Sequence, residues 1–89
     1  MTLQEKYDEL LKRMKKPENK EKYNFLINDC NTKKYSIIRL YCKLIQNGLE
    51  LIPILTEEKE PMALIDFHKS SCSANLRALE KLLNKEGWL

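Results

Sequence analysis

The sequence predicts an all-α fold: a small bundle of four to five helices around a central apolar helix near residues 32–47. Three observations lead there. Apolar side chains recur every three or four residues along several stretches, which is the spacing of one helical face. Only 2 Gly and 3 Pro punctuate 89 residues, too few for the turns of a sandwich or for a glycine-rich phosphate loop. A hydrophobic share of 43% with a charged share of 33% belongs to a chain that folds, not to a disordered tail. Residues 1–89 are read as a single helical domain, because this length leaves little room for a second core.

The first helix has a defined start. Thr2 and Glu5 have the spacing of a capping box, in which hydroxyl and carboxylate each satisfy an orphan backbone amide. Leu3, Tyr7, Leu10, Leu11 and Met14 then share one face. Lys15 and Lys16 suit the negative end of the helix dipole, and Pro17 ends the helix. A second helix is expected from Pro17 or Glu18, with Glu18 and Glu21 in its first turn. Its stripe is Tyr23, Leu26, Ile27 and Cys30. Phe25 lies off that stripe, and Asn28-Asp29-Cys30-Asn31 reads as an exit turn.

The third helix, capped by Asn31 or Thr32, is the core candidate. Ile37, Ile38, Leu40, Tyr41, Cys42, Leu44 and Ile45 leave only a narrow polar stripe of Ser36, Arg39, Lys43 and Gln46. A helix apolar on most of its circumference is expected in the middle of a bundle. Gly48 is expected to stop it in the left-handed conformation, with Leu49 folding back. Pro53 argues against further helix, so residues 49–60 are read as a connector with one short helical turn, closed by the acidic run Glu57-Glu58-Lys59-Glu60.

From Pro61 to Glu86 the chain reads as helical again. Ile65, Cys72, Leu76, Leu79 and Leu83 fit one long helix. Ser70-Ser71-Cys72-Ser73 suits a break equally well, because serine is a poor helix former and a good cap. Gly87 then stops the helix, and Trp88 packs back on the last turn or faces a partner.

The chemistry is read by exclusion. No phosphate loop, dinucleotide fingerprint or zinc-protease helix occurs, and no cofactor is expected. His68 and Cys72 stand four apart, the spacing at which an imidazole can activate a thiol, but no oxyanion-hole signature accompanies them. A core thiol beside a boundary histidine is the preferred reading. Cys30, Cys42, Cys72 and His68 lack the close-paired spacing of a structural zinc site. The chain is therefore expected not to be an enzyme. An odd count of 3 Cys fits reduced thiols in a cytoplasmic setting. Thr2 to Tyr7 do not read as a secretion signal, and no run is long and apolar enough for a membrane span, so no membrane partner is expected.

What remains is a binding surface. The net charge is +3, with a basic first half and an acidic stretch over 49–66. Such asymmetry steers an acidic partner. The expected role is a protein-binding module, a small regulator, inhibitor or adaptor that acts by occlusion or scaffolding through a helical face. Its partner-facing candidates are Lys12, Arg13, Lys16, Phe25, Arg39, Lys43 and Trp88. A long unbroken last helix would overhang the bundle and favour self-association. The second reading is a helix-turn-helix-like nucleic-acid binder over residues 61–86. Ser73, Asn75, Arg77 and Lys81 would then stand near the start of the recognition helix. The turn glycine of that motif is missing and the region is only weakly basic.

Overall fold

The computed structural model describes residues 2–28 and 32–89. It is an all-α bundle of four helices, α1 (Leu3–Met14), α2 (Lys20–Asn28), α3 (Lys33–Glu57) and α4 (Met62–Lys85), with a 3₁₀ turn over Pro17–Asn19 leading into α2. No strand occurs among the described residues. Residues 29–31 lie outside them. The expected exit turn, the cap at Asn31 and the place of Cys30 on the α2 stripe therefore go undescribed beyond Asn28.

α1 starts as its sequence requires. The Glu5 amide donates to Thr2 Oγ1 at 3.1 Å, and the Thr2 amide donates to Glu5 Oε1 at 3.3 Å. Both arms of the capping box are made. Its stripe buries Tyr7, Leu10 and Met14 in a core shared with Leu26 of α2, Ile38 and Ile45 of α3, and Cys72, Leu76, Leu79 and Leu83 of α4.

α3 departs most from the sequence reading. Gly48 does not end it, Pro53 does not break it, and most of the expected connector is helix up to Glu57. Gly48 serves a different purpose. A Cβ at this position would lie 3.0 Å from Cys72 Sγ, so the missing side chain is what lets α3 and α4 approach so closely. Pro53 is exposed, and in a helix it removes a single backbone bond. α4 runs alongside as the other arm of a hairpin, and tertiary packing of this kind outweighs local propensity. The true stop is a Schellman turn, in which the Lys59 amide donates to the Thr56 carbonyl and the Glu60 amide to the Leu55 carbonyl. Lys59 takes the left-handed conformation, with φ at 55°. The acidic run is thus the tip of a long α3–α4 hairpin.

α4 is continuous through Ser70–Ser73. Cys72 and Leu76 carry the buried row straight through the serines, and the Cys72 thiol donates to the Ile45 carbonyl at 3.5 Å. The helix closes with a second Schellman turn. Gly87 has φ 78°, its amide donates to the Asn84 carbonyl, and the Trp88 amide donates to the Leu83 carbonyl at 2.8 Å. Trp88 folds back and is 2% exposed. Buried Asn19 locks this end, its side-chain amide donating to the carbonyls of Arg13 at 2.9 Å and Trp88 at 2.8 Å.

α3 is also less enclosed than its composition suggests. Of its side chains only Ile38 and Ile45 are fully buried, while Ile37, Leu40, Leu44, Leu51 and Ile54 stay exposed. The reason is length. At 1.5 Å per residue α3 runs roughly 37 Å, nearly the long axis of a 43 × 27 × 19 Å molecule. α1 and α2, of 12 and 9 residues, cover only part of it.

Candidate functional site

An open groove of about 520 Å³ lies between α1, α2 and α3. α1 supplies Tyr7, Leu11 and Met14. α2 supplies Tyr23, Leu26 and Ile27. α3 supplies Ser36, Arg39, Leu40, Cys42, Lys43 and Gln46. Each set follows from the helical period: one face of each short helix turns to the core, and its edge forms a wall. Ile27 and Leu40, at 52% and 57% exposure, leave these apolar walls open among the described residues.

Among the described residues the lining holds two cations, Arg39 and Lys43, and no carboxylate. The polar groups on its floor are neutral. Gln46 Nε2 donates to Tyr7 Oη at 2.9 Å, and burial beside Cys42 pushes the phenol well above its usual range. Burial likewise pushes the Cys42 thiol up, partly offset by its hydrogen bond with Tyr7. The floor therefore offers apolar surface and hydroxyl, thiol and amide groups, and the rim offers positive charge.

Of the partner-facing residues expected from the sequence, the structure brings together Arg39 and Lys43, which share this groove. The others are scattered. Lys12 and Lys16 are exposed. Arg13 lies along the α1–α4 crevice and pairs with Glu9 at 3.7 Å. Phe25 is 54% exposed, as its position off the stripe implied, and stacks on Tyr35 at 6.3 Å. Trp88 is corrected outright. It is a core residue, packed edge-on against Tyr35 and covered by the Lys22 ammonium, so it braces the fold and presents nothing to a partner.

The helix-turn-helix arrangement does not form, because residues 62–85 are one helix. The four side chains proposed for it do not share a face either. Ser73 and Arg77 line the crevice against α1, whereas Asn75 lines a groove on the α3 side with Leu44 and Asn47. Lys81 is exposed.

The thiol chemistry is equally constrained. Cys72 is buried, its thiol engages the Ile45 carbonyl, and burial raises its pKa where a nucleophile needs it lowered. His68 packs edge-on against Phe67. Among the described residues no three His, Cys, Asp or Glu side chains gather as a metal site, and Cys30 lies outside that search. Among them, too, no helix is long and apolar enough to cross a membrane.

Sequence reasoning missed Leu11, Ile27 and Leu40 as site residues, because each was assigned to a core stripe. The available signal was the width of the α3 apolar arc set against the shortness of its neighbours. No family model, no curated protein and no solved structure matches this chain.

Proposed function

We propose that this chain is a non-enzymatic protein-binding module, a small regulator, inhibitor or adaptor, that holds an acidic amphipathic helix of another protein in the α1–α2–α3 groove. One observation carries the reading: a groove of about 520 Å³ with exposed apolar walls and, among the described residues, two cations but no carboxylate in its lining. Helix-in-groove recognition places the apolar face of a guest helix, at spacings of three, four and seven residues, against such a floor. Leu11, Ile27 and Leu40 would desolvate those anchors. Arg39 and Lys43 would meet flanking Asp or Glu, steering encounter and fixing orientation more than adding affinity. The bound segment is thereby hidden from its other partners, which is occlusion, or held near them, which is scaffolding. Such binding weakens as salt rises, because the rim charges are screened.

The test is a display selection of helical peptides against the full chain, followed by titration of the winners. The reading expects peptides with helical apolar spacing flanked by Asp and Glu. Their affinity should fall about ten-fold or more for Ile27→Asp and for Lys43→Glu. Selected peptides without acidic bias, or affinities indifferent to both substitutions, would overturn it. So would retardation of random duplex DNA that is lost in Arg77→Ala with Lys81→Ala, which would favour a nucleic-acid binder.

A further inference from the structure

A second surface lies on the flank of α3 next to the groove. Ile37, Leu40, Leu44, Leu51 and Ile54 are all exposed, at successive spacings of three, four, seven and three residues. These are the a and d positions of a heptad pattern, and the one interruption at its d position is Asn47. A seam of this kind is the signature of a helix that pairs with another helix. Among the described residues no helix covers this face, and α4 occupies the neighbouring one. The seam continues onto α4 through a groove of about 240 Å³ whose walls include Leu44, Asn47, Leu51 and Phe67. Phe67 is 65% exposed. The lining of this groove contains no Lys, Arg, Asp or Glu.

We infer that this face pairs with a second copy of the chain, α3 against α3, antiparallel about a two-fold axis. Charge selects the occupant and the direction. α3 begins with Lys33 and Lys34 and ends in Glu57 and Glu58. Parallel pairing sets like charges side by side at both ends. Antiparallel pairing centred between Leu44 and Asn47 sets Ile37 against Ile54 of the second copy, Leu40 against its Leu51, and Leu44 against its Asn47. In that same register Lys33 faces Glu58, twice by symmetry. Lys34 lies off the seam and serves Glu86 of its own chain at 3.0 Å. One chain thus supplies both halves of a matched surface. Asn47, close to the axis, would cost some stability but hold the register, the best-attested use of a polar residue in such a seam. Leu40 stands on the border between seam and groove; Ile27 and Lys43 belong to the groove.

Sedimentation equilibrium of the full chain at tens of micromolar tests this. Wild type should run as a dimer, and Leu44→Asp with Leu51→Asp as a helical monomer. Lys33→Glu alone and Glu58→Lys alone should each weaken the dimer about ten-fold, because each substitution turns two attractive pairs repulsive. Combining them should restore it, which also keeps the test intact should the aspartates disturb folding. A monomeric wild type, or a charge swap that fails to restore pairing, would overturn the inference. Ile27→Asp should leave the dimer unchanged while abolishing peptide binding, so failure of the seam and failure of the groove read out separately.

Discussion

Two aromatic residues show how the same side-chain type takes opposite roles. Trp88 is locked by the Gly87 turn, by Asn19 bonded to its carbonyl, and by Tyr35 and Lys22 on its ring. Trp88→Ala should cost about 3–5 kcal/mol in urea unfolding, the range for emptying a large core site. Phe25 has only its stack on Tyr35 to lose, and Phe25→Ala should cost about 0.5–1.5 kcal/mol. Equal small losses at both positions would mean that Trp88 is not a core residue.

The buried thiols and Tyr7 make a pH prediction. Burial raises the ionisation of Cys42, Cys72 and Tyr7 above their ordinary ranges. The unfolded chain therefore releases these protons first. Their contribution is complete below the unfolded thiol range, about pH 8.5, and is lost as pH rises through the folded values. Urea unfolding across pH should show stability declining from the thiol range upward. In Cys42→Ala with Cys72→Ala the onset should move to the tyrosine range, near pH 10. An unchanged onset would mean that the two thiols are not shielded in the folded state.

At the scale of elements, the parts written in local chemistry were the parts legible in sequence. The Thr2–Glu5 capping box and the stop at Gly87 with the Trp88 staple rest on residues within one or two turns of each other, and the buried row from Cys72 to Leu83 repeats one turn at a time. α3 was misread because its two apparent stop signals are answered from elsewhere. Gly48 is answered by Cys72 across the helix interface, and α3 runs on through Pro53 as one arm of the hairpin with α4. Ser70–Ser73 posed the same question in α4, and the α3 interface answered it the same way. Only the end of α3 is local, and there a left-handed Lys59 does what a glycine was expected to do at position 48.

At the scale of the molecule, the mismatch between two long helices and two short ones is what leaves apolar surface uncovered. α1 and α2 close one flank of the hairpin incompletely, leaving a groove with a basic rim, and they leave the α3 seam bare. Half of the candidate site was legible: Arg39 and Lys43 are the cations of the narrow polar stripe between Ser36 and Gln46 on α3. The other half was not, because Leu11, Ile27 and Leu40 look identical to core residues until the lengths of the covering helices are known. The long hairpin, and with it the Leu51 and Ile54 half of the seam, rests on α3 being one helix that continues beyond Gly48. Amide hydrogen exchange over residues 49–57 in the native chain measures this most directly. Protection of the non-proline amides here within reach of that at Ile45 is the result this fold requires. Exchange as fast as in an unfolded peptide would make the segment a loose connector, and the hairpin and its seam would go with it.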